Sequence, residues 1–199
     1  MSVHVPVTGF VLAGGHSSRM GREKALLSVG ETRLIERVIE QLRLWVDRVV
    51  VVGHADNAAR LQPFVAGEVV TDAVPGRGPL MGIYTGLMHS QTPLNVFVPC
   101  DMPRLDDWLM KRLFLAWRPG LALVAGVEPD GRLQPFPLLC HLSAYRGIGA
   151  LLDRGESSLQ RIRQLPGATL VSLGHASVSP NLNTPEDYEH YRRHCSLTR

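Results

Sequence analysis

Predicted strands and helices alternate through the first 71 residues, and this alternation constrains the fold more than any other feature of the sequence. The strands are near-continuous runs of apolar residues, which is typical of strands that are buried on both faces. The first two strands are each followed by a predicted helix, at 34–46 with apolar residues at helical spacing and at 55–64. The predicted strands are 7–12, 48–52 and 67–71. This pattern predicts an α/β fold in which helices cover both faces of a mostly parallel sheet.

The second half begins with a fourth strand, at 95–99, and then contains a change of direction. After a helix at 108–117 and a strand at 121–127, Asp130 and Gly131 form a sequence that is typical of a hairpin turn. Segment 134–140 is therefore expected to pair antiparallel with the preceding strand. Because Pro135 and Pro137 lack an N–H group, they restrict this strand to an edge or a bulge. The remaining predicted elements are helices at 142–152 and 159–165, a strand at 168–173 and a terminal helix that ends near residue 193.

A glycine-rich segment, residues 12–24, connects the first strand to the first helix. Gly14 and Gly15 leave the strand without a Cβ, so the backbone can approach a ligand closely. Arg19 and Lys24 add a guanidinium and an ammonium group, which together suit a triphosphate. The segment fits neither the P-loop pattern nor the dinucleotide-binding pattern, since its glycines and Lys24 are spaced differently. The segment therefore predicts a nucleotide site of another class.

Four residues follow predicted strands directly, namely Gly14, Gly53, Asp72 and Asp101. The carboxyl ends of parallel strands meet at one edge of a sheet, so we expect these residues to share one cleft. A carboxylate at a strand end suits Mg²⁺, which takes one or two carboxylates and substrate phosphates, and Asp101 is the predicted ligand. The alternative for Asp101 is a helix cap, which Asp106 or Asp107 would provide better. Asp72 taken alone fits a turn or cap residue equally well.

Composition excludes several classes of function. The net charge is +3 and 6% of the residues are aromatic, without the basic and aromatic clusters of a nucleic-acid surface. The three cysteines have neither the spacing of a zinc site nor that of a disulfide framework, and Cys100 is expected to be a small buried side chain rather than a nucleophile. No apolar run reaches the length of a membrane span and no signal peptide is recognisable, so we expect a cytoplasmic protein.

The glycine-rich segment resembles the first motif of nucleotidyltransferases that build cofactor and sugar nucleotides, with the pattern Leu-Ala-Gly-Gly-x-Ser-x-Arg-Met-Gly-x-x-Lys. Its doubled glycine is most similar to the molybdenum cofactor guanylyltransferases. The segment from Asp72 to Gly82 and the sequence Pro-Cys-Asp-Met-Pro at 99–103 resemble further motifs of that family. The resemblance implies a three-layer αβα, Rossmann-like fold of the GT-A type. It also implies a single domain over 1–199, with a nucleotide-binding half at about 7–104, an acceptor-binding half at about 105–193 and a tail at 194–199.

The resemblance assigns roles to individual residues of this sequence. Arg19, Lys24 and Asp101 are the implied catalytic residues, and Asp101 is the implied Mg²⁺ ligand. The implied nucleotide-binding residues are Leu12, Ala13, Gly14, Gly15, Ser17, Lys24, Asp72, Gly78 and Asp101. The implied acceptor-binding residues are Gln134, Pro135, Asn181 and Asn183, although the two asparagines fit a cap and turn equally well. Where relatives often carry Asn after the second strand, this chain has Gly53 and His54, so backbone or His54 is expected to replace that contact.

The implied reaction is transfer of GMP from GTP to the terminal phosphate of molybdopterin, with release of pyrophosphate. A phosphate acceptor is largely ionised near neutral pH, so the reaction needs no side-chain base. GTP and molybdopterin are the implied substrates, and transient contact with molybdoenzymes or other cofactor-biosynthesis proteins is implied as well. The alternatives are a molybdopterin cytidylyltransferase, a sugar-phosphate nucleotidylyltransferase or a non-catalytic, nucleotide-dependent carrier of the pterin. The doubled glycine argues against the first two, and the three charged residues argue against the carrier.

Overall fold

A single seven-stranded sheet contains strands from both halves of the chain in the computed structural model. The structure describes residues 4–14, 23–74, 76–174, 182 and 184–195. The strands are β1 (Val7–Leu12), β2 (Ser28–Val29), β3 (Thr32–Arg33), β4 (Arg48–Gly53), β5 (Glu68–Thr71), β6 (Leu94–Pro99), β7 (Leu123–Val127), β8 (Leu133–His141) and β9 (Ala168–Ser172). The helices are α1 (Leu34–Arg43), α2 (Ala55–Leu61), α3 (Pro79–His89), α4 (Asp107–Ala116), α5 (Ala144–Asp153) and α6 (Pro185–Cys195). Short 3₁₀ segments lie at Lys24–Leu26, Gln62–Phe64 and Leu159–Gln164, the last where the sequence predicts a regular helix.

The strand order of the large sheet is β5-β4-β1-β6-β8-β7-β9. β1 pairs in parallel with β4 on one side and with β6 on the other, and β4 and β5 are parallel as well. Among the described strands of this sheet, β8 alone runs antiparallel to its neighbours β6 and β7. The small strands β2 and β3 form a separate hairpin. The predicted mostly parallel sheet with an antiparallel strand in the second half is therefore confirmed.

Two adjacent residues of β1 show that helices cover both faces of the sheet. A Cβ on Gly9 would lie 2.6 Å from Leu42 of α1, whereas Phe10 packs beside Gly86 of α3. Successive side chains of a strand point to opposite faces, so α1 and α3 lie on opposite sides of the sheet. The three-layer αβα architecture follows. Among the described residues, no helix combines the length and the apolar character that crossing a membrane requires.

The position of β8 decides between two predicted alternatives. Its two prolines predict an edge strand or a bulge, and β8 lies inside the sheet between β6 and β7. β6 pairs with β8 only from Leu138 onward, and the β7–β8 register shifts between Val124 and Gly126. Pro135 and Pro137 therefore lie at a bulge and beyond the ladder with β6, where a missing N–H breaks no regular pairing. Of the two alternatives that the sequence predicts for this strand, an edge or a bulge, the structure shows the bulge.

Candidate active site

Backbone hydrogen bonds extend the sheet past the carboxyl ends of its parallel strands and fix the residues that follow. β4 and β5 lie on one side of β1, and the next strand in the sequence, β6, lies on the other side, so the strand order reverses at β1. In open α/β sheets, ligands bind at such a switch point. The extending bonds are Ala13 N–H to Val52 C=O (2.7 Å), Asp72 N–H to Gly53 C=O (2.8 Å) and Cys100 N–H to Leu12 C=O (3.0 Å). The residues that the sequence placed at strand ends are thus held at one edge.

A cleft of about 300 Å³ opens at this edge. It brings together seven of the predicted nucleotide-site residues, namely Leu12, Ala13, Gly14, Lys24, Asp72, Gly78 and Asp101. It is also lined by Glu23, Pro79, Gly82, Cys100 and Phe136, among others. The predicted residues Gly15, Ser17, Arg19, Asn181 and Asn183 lie outside the described residues. The predicted nucleotide-site residues that the structure describes therefore lie together in this cleft.

Lys24 and Asp101 form an ion pair in the cleft. Lys24 Nζ donates to Asp101 Oδ2 at 3.2 Å, and the two side chains are only 16% and 14% exposed. Burial raises the pKa of the Asp101 carboxyl, and the Lys24 ammonium acts in the opposite direction. Asp101 Oδ1 is buried and has no hydrogen-bond partner among the described residues. That oxygen is left to receive a ligand, and a divalent cation suits its charge and its burial.

The structure describes no preformed metal cage. Across the described residues, no three His, Cys, Asp or Glu side chains lie together in a way that could hold an ion. Mg²⁺ commonly takes only one or two protein carboxylates and completes its shell with water and substrate phosphates. The residues present thus fit a cation that binds together with a phosphate ligand rather than one bound by the protein alone.

Asp72 is the second buried carboxylate of the cleft. Its Oδ1 has no hydrogen-bond partner among the described residues. Burial raises the pKa of the Asp72 carboxyl, while the Thr85 hydroxyl and the His54 ring act in the opposite direction. A Cβ on Gly14 would lie 3.0 Å from Asp72 Oδ2, so glycine at this position keeps the carboxylate in contact with the backbone of the glycine-rich segment. The N-cap of the following helix, α3, is Gly78, so Asp72 does not cap this helix.

Helix α3 begins at the cleft. Gly78 precedes it with φ +76°, a conformation that favours glycine, and Pro79 is its first residue. Gly78 and Pro79 both line the cleft. The partial positive charge at a helix N-terminus favours an anion, so this end of the site suits a phosphate group.

Cys100 lines the cleft beside Asp101, but its chemistry is that of an inert side chain. Burial raises the pKa of the Cys100 thiol to about 12, with a further contribution from the Asp101 charge. A thiol nucleophile must be ionised near neutral pH. The expectation that Cys100 is not a nucleophile agrees with this environment.

On the acceptor side, β8 reaches the cleft through a different residue from the predicted ones. Phe136 lines the cleft, whereas Gln134 and Pro135, both half-buried, are not among its described lining residues. The C-terminal segment also returns to this region, since Leu182 N–H donates to the Asp101 carbonyl at 2.9 Å. Leu182 lies in the sequence between Asn181 and Asn183, the two predicted acceptor residues outside the described part of the chain.

Sequence reasoning missed contacts that link helix α2 to the cleft. Asn57 is buried and donates to the Ala13 carbonyl, and Arg60 forms an ion pair with Glu23. An asparagine and an arginine in a short helix are ordinary surface residues by composition. The spacing of His54 and Asn57, which suits a helix cap, was the one local signal available.

Comparison with known proteins agrees with this architecture. Residues 9–171 match the family described as the MobA-like NTP transferase domain. Molybdenum cofactor guanylyltransferase of Serratia proteamaculans (strain 568) is 32% identical over 200 residues, covering 98% of this chain and 99% of that protein. The protein of the same name from Yersinia pestis (strain Pestoides F) is 34% identical over 184 residues, covering 91% and 92%.

A solved structure shares the fold. Molybdopterin-guanine dinucleotide biosynthesis protein A from Archaeoglobus fulgidus has a TM-score of 0.79 at 22% identity, over 96% of this chain and all of that one. The family match spans most of the chain, including the described cleft residues from Leu12 to Phe136. This protein therefore belongs to the MobA-like NTP transferase family.

Proposed function

We propose that this protein is a molybdenum cofactor guanylyltransferase, which transfers GMP from GTP to the terminal phosphate of molybdopterin and releases pyrophosphate. The observation that carries the proposal is the buried Lys24–Asp101 pair in the cleft at the switch point. The names of the Serratia and Yersinia relatives, which align with nearly the whole chain, support the choice of substrates.

In the proposed transfer, some residues of the cleft neutralise phosphate charge and others position the nucleoside. Lys24 places a positive charge where the phosphates of the nucleotide would lie, and Arg19 is proposed to add a second one. Gly14 and Asp72 would position the nucleoside, with the α3 N-terminus close to the phosphates. Attack by the acceptor phosphate on the α-phosphorus forms the new P–O bond while the bond to pyrophosphate breaks. Positioning and charge neutralisation then supply most of the acceleration, as in other phosphoryl transfers.

Mg²⁺ is proposed as the cofactor, held by Asp101 through Oδ1, which accepts no hydrogen bond from the described residues. When bound, it would neutralise negative charge on the nucleotide phosphates. The chain's own part is to hold the Asp101 carboxylate beside a positive charge: burial raises the pKa of Asp101, and the Lys24 ammonium acts in the opposite direction.

The acceptor needs no base from the protein, because a phosphate monoester is largely ionised near neutral pH. The acceptor is proposed to bind along Phe136 and the segment around Leu182, with Asn181, Asn183, Gln134 and Pro135 as candidate contacts. The second substrate would then lie on the side of Asp101 opposite the β4–β5 edge, and the position of β8 next to β6 supports this.

The first experiment measures binding of GTP, CTP, UTP and ATP with Mg²⁺ by calorimetry, followed by pyrophosphate release with molybdopterin. We expect selective GTP binding, and turnover that falls about 10²–10³-fold in Asp101→Asn, as for loss of an oxyanion donor. Asp107→Asn, an exposed carboxylate on α4, is the matched control and should behave as wild type. Absence of nucleotide binding by folded protein, or full turnover in Asp101→Asn, would refute the proposal, and preference for CTP would assign the cytidylyl reaction instead.

A further inference from the structure

Asn57 of helix α2 joins the glycine-rich segment to the end of β4. Its side chain is 1% exposed. Its Nδ2 donates to the Ala13 carbonyl at 2.8 Å, and its Oδ1 accepts the His54 N–H at 2.9 Å. The two partners fix the orientation of the amide, because a carbonyl must face Nδ2 and an N–H must face Oδ1. A surface asparagine would need neither contact.

The glycine that ends β4 makes room for this amide. A Cβ on Gly53 would lie 2.6 Å from Asn57 Oδ1, closer than real Cβ atoms approach an oxygen. Gly53 and Asn57 are therefore a matched pair.

The other end of the glycine-rich segment is attached to the same helix. Arg60 Nη2 lies 2.9 Å from Glu23 Oε2, in an ion pair whose carboxylate is only 13% exposed. Glu23 lines the cleft and directly precedes Lys24, the partner of Asp101. Helix α2 thus contacts Ala13, directly after β1, and Glu23, directly before Lys24.

We propose that helix α2 holds both ends of the glycine-rich segment at a fixed separation, with Asn57 and Arg60 as positioning residues for the nucleotide. This inference rests on the proposed nucleotide-binding role of the segment. Ala13 and Glu23 both line the cleft, and contacts that already hold them in place reduce the ordering required when a triphosphate binds, so the affinity is higher. Neither residue needs to contact the nucleotide.

The test for Asn57 separates the two hydrogen bonds of its amide. Asn57→Asp at pH 8 keeps an acceptor for the His54 N–H, and its ionised form cannot donate to the Ala13 carbonyl. Asn57→Leu, which is uncharged and similar in size, removes both hydrogen bonds and controls for the added negative charge. We expect the Kd for GTP with Mg²⁺, measured by calorimetry on folded protein, to rise about tenfold, as for loss of other supporting contacts. Loss of stability alone would lower the melting temperature and the fraction of binding-competent protein while leaving Kd unchanged.

The test for Arg60 is a double-mutant cycle with Glu23. We expect Arg60→Gln to raise the Kd for GTP about threefold, because the arginine is largely exposed and such pairs contribute modestly. In a Glu23→Gln background the same change should have no further effect, and Arg60→Lys should restore most of the affinity. Arg48→Gln, which removes the exposed ion pair with Glu68 at the start of β4, is the control and should leave Kd unchanged.

The outcomes separate the inference from the proposed function. Wild-type affinity in both Asn57→Asp and Arg60→Gln would overturn the inference while the proposed function stands. Additive effects of Arg60→Gln and Glu23→Gln would overturn the Arg60 part, since Arg60 would then act independently of Glu23. If wild-type protein binds no nucleotide, the proposed function and the inference both fail.

Discussion

Lys24 Nζ and Asp101 Oδ2 lie 3.2 Å apart although 77 residues separate the two positions in the chain. Lys24 is the last residue of the glycine-rich segment, which follows β1, and Asp101 follows β6. The ion pair therefore connects the segments that follow two neighbouring parallel strands. Both side chains are largely buried, which makes the charges costly in the absence of substrate. The raised pKa of Asp101 records that cost, since burial outweighs the attraction of Lys24.

Neutralising Asp101 is expected to change how the stability of the apo-protein depends on pH. The folded-state pKa of Asp101 lies above its ordinary value of 3.8. The stability contributed by this group is therefore complete below the unfolded pKa and is lost as the pH rises through the folded pKa. An asparagine at this position does not titrate, so the stability of Asp101→Asn does not decrease in this way as the pH rises. Its melting temperature relative to wild type should rise as the pH increases from about 4 to about 7.

Thermal melts in EDTA measure this difference, and Asp47→Asn is a control of opposite sign. Hydrogen bonding by the Val7 N–H lowers the pKa of Asp47, as does His4. Asp47 therefore contributes stability above its unfolded pKa, and that contribution is lost as the pH falls. The melting temperature of Asp47→Asn relative to wild type should fall as the pH rises. A constant difference between Asp101→Asn and wild type across this range would contradict the burial argument.

Much of the fold could be predicted because its strands carry strong local signals. The run from Arg48 to Gly53 is buried along almost its whole length, and continuous apolar strands of this kind occur in parallel sheets covered on both faces. The cleft followed from the same reasoning, since Gly14, Asp72 and Asp101 come directly after strands. Local patterns determine which residues end a strand, and parallel pairing then brings these ends together.

The remaining features depend on contacts that no local pattern encodes. Proline is excluded only from strand positions whose N–H group takes part in a ladder hydrogen bond. In β8, the extent of pairing with β6 and the bulge opposite β7 determine which positions make such bonds. Asn57 binds a carbonyl 44 residues away, and the space for it depends on a missing Cβ at Gly53. The contact between Leu182 and Asp101 likewise depends on how the terminal segment returns to the sheet.

Two glycine-to-alanine substitutions should separate binding from folding. A Cβ at residue 14 would lie 3.0 Å from Asp72 Oδ2, whereas a Cβ at residue 86 would lie 2.6 Å from the ring of Phe97 in the core. We expect Gly14→Ala to displace the carboxylate and raise the Kd for GTP about tenfold, with little loss of stability. Gly86→Ala should cost about 1–3 kcal/mol of unfolding free energy, as overpacking does, without changing the Kd of folded protein.

Calorimetry and urea denaturation on both variants check these glycine predictions. If Gly14→Ala binds GTP as wild type does, then the close approach of residue 14 to Asp72 is not part of the nucleotide site. Equal losses of affinity in both variants would mean that the binding assay reports general damage to the fold.

Leu182 tests which substrate the C-terminal segment serves. Its side chain is 4% exposed and packs with Val29 and Leu34, and its N–H donates to the Asp101 carbonyl. Leu182→Ala removes that packing and loosens the segment that carries Asn181 and Asn183. Because these asparagines are proposed acceptor contacts, we expect the KM for molybdopterin to rise about fivefold or more while the Kd for GTP changes less than about twofold.

Leu173→Ala is the matched control, since Leu173 is equally buried but packs beside Gly126 of β7, away from the Leu182 cluster. Both substitutions remove a buried leucine and should lower stability, by about 2–5 kcal/mol in a well-packed site. Only Leu182→Ala should alter the KM for molybdopterin, because Leu182 alone of the two is attached to Asp101. If GTP affinity fell as much as acceptor affinity in Leu182→Ala, the segment around Leu182 would contribute to the nucleotide site. The proposed division of the cleft into a nucleotide side and an acceptor side of Asp101 would then be wrong.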